Sequence, residues 1–161
     1  MLRSLVLSIL LVITTNAAQA GELNGQDWKI VNYWSKSCAP CRVEIPEFNH
    51  LSQALASFDV AVLGVNFDED EREQTLQVAE YMGIEFPTLT MEEVETLNLT
   101  PPTVLPTTYI QAADNTVKAK LIGAQDQRSI LSKLAELGFG TKGIGTRLVG
   151  KPLVHESGAE K

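Results

Sequence analysis

Apolar and polar positions along this chain follow two different periods. Lys29 to Trp34 (KIVNYW) is a short, mostly apolar run that predicts a buried strand. From Cys41 onward Ile45, Phe48, Leu51, Leu55 and Phe58 recur at steps of three and four, the period of a helix. Pro46 sits about one turn into that helix and is expected to kink it rather than end it. Val60 to Val65 (VAVLGV) is almost continuously apolar, as a central strand covered on both faces requires. Asp68 to Glu73 (DEDERE) leads into a second helix through Leu76, Val78, Ala79, Tyr81 and Met82, with Gly83 as its stop. Carboxylates are favourable at a helix N-terminus, and this run lacks the glycine and distal glutamate of a calcium loop.

The second half is read the same way. Phe86 to Leu89 is too short to assign, and Glu92 to Asn98 fits one helical turn or two. Thr100 to Pro106 is a proline-rich loop. Thr107 to Ala112 and Val117 to Ile122 are strands joined by a turn at Asp114-Asn115, which together make a β-hairpin. Asp126 caps a last helix with Ile130, Leu131, Leu134 and Leu137 on its apolar face, ended by Gly138. The order strand, helix, strand, helix, hairpin, helix predicts an α/β fold: a mixed central sheet flanked by helices.

The two ends differ from this pattern. Arg3 precedes an apolar run from Leu5 to Ile13, and Ala18-Gln19-Ala20 supplies small residues where a signal peptidase cuts. Residues 1–20 are therefore expected to be a secretory signal peptide; an uncleaved N-terminal anchor is the alternative. The apolar run is much shorter than the roughly 20 residues a spanning helix needs. Residues 21–138 form one domain, large enough for a hydrophobic core. Residues 139–161 carry glycines at 140, 143, 145, 150 and 158 and read as a flexible tail. The formal charge of −7 argues against nucleic acid and anionic membranes as partners. A monomer is expected.

The chemistry lies in the cysteines. The chain has two, Cys38 and Cys41, separated by Ala39-Pro40. In an oxidising compartment they could be half a metal site, a staple or a working redox pair. A bridge between them closes a very small loop and adds little stability. Structural zinc needs four ligands, and only His50 and His155 remain as additional nitrogen ligands. Haem attachment needs histidine after the second cysteine, where Arg42 stands. A redox pair fits. Cys38 falls between a strand end and a helix start, where outward peptide N–H groups favour a thiolate. Such pairs bring a cysteine pKa to roughly 3.5–7.5, against about 8.5 when free. Cys38 is the expected nucleophile and Cys41 the resolving thiol. Glu44 lies three residues beyond Cys41 on the same helix face, placed either to tune a thiol and take its proton or simply to face solvent.

The segment VNYWSKSCAPCRVEIPEF resembles the thioredoxin-like TlpA/ResA group of periplasmic thiol–disulfide oxidoreductases. Val104 to Tyr109 (VLPTTY) looks like the cis-proline loop and following strand of that group, and Pro46 falls at its helix kink. The similarity covers about residues 23–138. It implies a thioredoxin-like fold and a cis Pro106 facing the cysteines. It implies that the backbone at Leu105 pairs with an extended substrate, and that Trp34 and Ser37 border the substrate site, although Trp34 as a bare residue fits core packing better. Glu44 matches a glutamate of ResA-like members. Asn32 stands where thioredoxins proper carry a buried aspartate. Ser37, preceded by Lys36, departs from the tryptophan usual before the first cysteine, which puts substrate preference in doubt.

The resemblance further implies a periplasmic reductant of disulfides in exported proteins, apocytochromes c among them. It would work through the cysteine pair with no other cofactor and no metal, and be fed by a membrane thiol–disulfide electron donor. Two alternatives use the same residues. One is a disulfide donor or isomerase, for which no dimerisation domain is present. The other is a copper(I)- or thiol-binding module, which suits soft thiolates but has Met82 and Met91 only at a distance.

Overall fold

The computed structural model describes residues 28–139. The expected signal peptide, and the expected tail beyond Phe139, lie outside the described residues. The elements run β1 (Trp28–Trp34), α1 (Ala39–Leu55), β2 (Val60–Asn66), α2 (Arg72–Met82), β3 (Thr88–Leu89), α3 (Met91–Val94) with a 3₁₀ turn (Glu95–Leu97), β4 (Thr107–Ala112), β5 (Val117–Ile122) and α4 (Gln127–Glu136).

β1 is the middle strand of a five-stranded sheet ordered β3-β2-β1-β4-β5. It pairs in parallel with β2, in register Asn32 to Gly64, and antiparallel with β4, in register Asn32 to Thr108. The parallel pair needs a crossover, which α1 supplies; the antiparallel β4–β5 pair needs only a turn. That turn uses Asn115 with φ 61°, a left-handed conformation asparagine tolerates.

Alternation along β1 divides the core between two faces of the sheet. Ile30 joins Val62, Ile110, Phe48, Leu51, Leu55, Ile130 and Leu134 in one cluster. Val31 and Tyr33 join Leu63, Val65, Tyr109, Val94 and Leu97 in the other. Every residue of β2 is buried, as its unbroken apolar run required.

Three details differ from the pattern reading. The unassigned Phe86–Leu89 segment contains β3, two residues pairing Gly64 with Thr88 and Val65 with Leu89; so short a strand has no period to detect. Phe58 lies beyond the end of α1, although it packs against the core there. The inner face of α2 is Thr75, Val78 and Ala79, whereas Leu76 and Tyr81 are exposed. Thr75 belongs inside because its hydroxyl oxygen accepts from Asn66 Nδ2 at 3.2 Å and its O–H donates to the Asp70 carbonyl at 3.1 Å. Gly83 ends α2 with φ 75°, which a side-chain-bearing residue adopts only with strain.

Candidate active site

β1 ends at Trp34 and α1 begins at Ala39, so the intervening turn carries Cys38 to the head of the helix. Cys38 is the N-cap: its Sγ accepts the Cys41 N–H at 3.2 Å. Pro40 fills the first turn, where a missing N–H leaves no helical bond unmade. A disulfide joins Cys38 to Cys41, with Cα atoms 5.3 Å apart. Cys38 is half-buried and Cys41 is buried, so one sulfur faces the surface and the other the protein.

Two further segments close on the pair. Trp34, Val78 and Ala79 pack around Cys41, and Leu105 packs against the same cluster beside Cys38. The Leu105–Pro106 peptide is cis. Its loop is held in place: Gly123 N–H donates to the Pro106 carbonyl at 2.9 Å, and Thr107 Oγ1 donates to the Val104 carbonyl at 2.7 Å. Pro106 is buried and Leu105 half-buried. The chain thus brings Leu105, far away in sequence, beside the cluster of the cysteine pair through the β1–β4 pairing.

Glu44 is buried, with only 1% of its surface exposed, and not on a solvated flank. Both carboxylate oxygens accept hydrogen bonds. Asn32 Nδ2 donates to Oε1 at 2.8 Å, and Gln125 N–H donates to Oε2 at 2.9 Å. Burial pushes the Glu44 pKa up to about 7, although the two donors from Gln125 and Asn32 pull it down.

Trp34 had two expected places, the substrate border that the resemblance implies and the core that a bare tryptophan fits; the indole is fully buried and packs with Cys41. It packs against the inner cysteine together with Val78 and Ala79. Its close fit is set by Gly64 on the neighbouring strand, where an added Cβ would come within 2.8 Å of Trp34 Nε1.

Ser37 is exposed on the rim, with its Oγ 3.3 Å from Ser35 Oγ. Lys36 is exposed too, and its ammonium lies 5.5 Å from the centre of the Tyr81 ring, matched by the Arg42 guanidinium at 5.4 Å. Cations over an aromatic face are attracted by its negative centre. An open depression of about 530 Å³ beside this rim is lined by Lys36, Ser37, Arg42, Asp68 and Gln74 among others. Sequence reasoning did not find Gln125, Thr108 or Tyr81. Gln125 acts through its backbone N–H, which leaves no mark in residue type. Thr108 was detectable in principle, because the β1–β4 register sets it opposite Asn32.

A mixed sheet, a disulfide-linked cysteine pair capping the first helix and a cis-proline loop packed beside it define a protein of the thioredoxin-like class. Within that class the chain belongs to the AhpC/TSA family, whose model matches residues 13–120. It is distantly related to the thiol-disulfide oxidoreductase ResA of Geobacillus thermodenitrificans, 28% identical over 107 residues, or 66% of this chain. The chain spans 61% of the length of that relative. Among solved structures it is similar to StoA from Bacillus subtilis, with TM-score 0.56 and 21% identity over 68% of this chain and 82% of that one. A thioredoxin-type protein from Neisseria meningitidis gives TM-score 0.59 at 18% identity, over 74% and 79% of the two chains.

Proposed function

We propose that this protein is a thiol–disulfide oxidoreductase that reduces disulfides in exported proteins, with apocytochromes c awaiting haem as the substrate class. The observation that carries this reading is the Cys38–Cys41 disulfide at the head of α1 with the cis Leu105–Pro106 loop packed against it. In the reduced protein the Cys38 thiolate attacks one sulfur of a substrate disulfide and expels the other as thiolate. Cys41 then attacks Cys38 Sγ, forming the internal disulfide and releasing the second substrate sulfur. Two electrons pass from the pair to the substrate. Glu44, one turn beyond Cys41, receives the Cys41 proton, and its pKa near 7 suits that task at neutral pH. Leu105 pairs its backbone with the substrate segment, Pro106 shapes that loop, and Ser37 forms the rim. Residues 1–20 export the chain to the periplasm. A membrane thiol–disulfide partner restores the dithiol, because that compartment is kept oxidising.

Trapping tests this reading. Cys41→Ser removes the resolving thiol, so a covalent complex with a disulfide-bearing exported protein accumulates; Cys38→Ser forms none. Neither variant turns over a model disulfide. Trapping that persists in Cys38→Ser would contradict the assignment. So would a reduced wild-type protein that takes up one equivalent of copper(I) and turns over no disulfide, the behaviour of a binding module.

A further inference from the structure

Glu44 projects from α1 and is bonded from β1 and from the loop before α4, and one of the groups that holds it is a second buried polar side chain. Asn32 lies in the middle of β1 and is 1% exposed. Its Nδ2 makes two bonds: to Glu44 Oε1 at 2.8 Å and to Thr108 Oγ1 at 3.1 Å. Among the described residues its buried Oδ1 meets no donor. An unmatched buried carbonyl costs stability, so this orientation needs a cause. Turning the amide over would give Oδ1 no N–H to meet at Glu44, and would set it against a carboxylate oxygen. The site favours the N–H2 end toward Glu44 at the expense of the carbonyl. With Gln125 N–H on the other oxygen, both carboxylate oxygens face donors.

We propose that Asn32, anchored by Thr108, is the positioning residue that holds Glu44 as a buried hydrogen-bond acceptor one turn along α1 from Cys41. This rests on the oxidoreductase reading of the pair, which it deepens. The groups that face Glu44 are few. Asn32 comes from β1, with Thr108 behind it on β4, and the Gln125 N–H comes from the loop before α4. From α1 itself the titratable neighbour one turn back is Cys41, and Glu47 one turn on is directed to the Gln127 N–H at 3.1 Å. Among the described residues no cation forms an ion pair with Glu44; the two ion pairs are Arg72–Glu93 and Lys133–Glu136. The amide of Asn32 therefore supplies polarity that a buried carboxylate would otherwise take from a charge. No electrons move through Asn32. It touches neither sulfur, and acts by favouring the ionised form of the group that takes the Cys41 proton.

The test follows the Glu44 carboxyl directly, by ¹³C NMR of glutamate-labelled oxidised protein across pH 4 to 10. Asn32→Leu has similar volume and no donor, so its Glu44 midpoint rises by about one pH unit. Thr108→Val, which keeps Asn32 but removes its anchor, raises it by less, and Thr108→Ser restores the wild-type midpoint. The pH profile of disulfide turnover in Asn32→Leu moves upward by the same interval, so activity lost at neutral pH returns at higher pH. A midpoint unchanged in folded Asn32→Leu would overturn the proposal; should that variant not fold, an unchanged midpoint in Thr108→Val does so. The titration needs no activity. A wild-type protein that reduces nothing, or a Glu44→Gln variant with full activity, would sink the oxidoreductase reading or the role of Glu44, while the midpoints still report on Asn32.

Discussion

At the residue scale, the unusual group is Glu44. A carboxyl raised from 4.5 to about 7 by burial binds its proton more tightly in the folded chain than in the unfolded one. Between those two values the native state therefore holds more protons than the denatured state, and stability falls as pH rises. The contribution is full below about pH 4.5 and lost above about pH 7, and its size is on the order of 3 kcal/mol. Urea unfolding of wild type and Glu44→Gln at pH 5 and pH 8 checks this. The wild type loses more stability between the two than the variant does; equal losses would place Glu44 in a solvated setting. The residue also shows what sequence could not provide. Its spacing from Cys41 is visible in the chain, but i,i+3 spacing fits a solvated flank as well as a buried one. Which applies depends on Asn32, Thr108 and Gln125, 12 to 81 positions away.

At the element scale, the site is held by β1, its two neighbours and α1. Gly64 shows how closely. It sits in β2 opposite Asn32, and a Cβ there would meet Trp34 Nε1 at 2.8 Å, Phe86 at 3.0 Å and Thr88 Oγ1 at 3.1 Å. These groups belong to buried, well-packed side chains, so Gly64→Ala is expected to destabilise by about 1–3 kcal/mol and to disturb the floor under Cys41. Thermal unfolding, with the rate of Cys41 alkylation in the reduced protein, measures both effects. Strong periodicity made most elements legible beforehand: β2, the hairpin of β4 and β5, and the Asp126-capped α4, where Asp126 Oδ1 accepts the Ser129 N–H at 2.7 Å. Less legible were β3, which owes its existence to pairing with β2, and the inner face of α2, where a hydroxyl in a polar network displaced leucine from the core. Trp34 was left open between rim and core for a related reason. An aromatic residue beside a motif looks the same in sequence whether it forms the rim or the floor.

At the scale of the whole molecule, the fold sets one half-buried sulfur at the head of a helix, with a cis-proline loop packed beside it and a buried carboxyl further along the same helix. In general a helix head favours a thiolate, and a favoured thiolate stabilises a dithiol relative to its disulfide and by itself pulls toward an oxidant. The rim beside the cysteine pair is polar and charged, with Lys36, Ser37 and Arg42 exposed. Direction of electron flow is thus a property of the assembled site, and it is the centre of this account. The deciding measurement is the reduction potential of the Cys38–Cys41 couple, by equilibration against dithiothreitol or glutathione. A reductant fed by a membrane donor requires about −270 mV or lower, near thioredoxin. A value near −120 mV, roughly that of a strong disulfide donor, would contradict it and make the protein an oxidant.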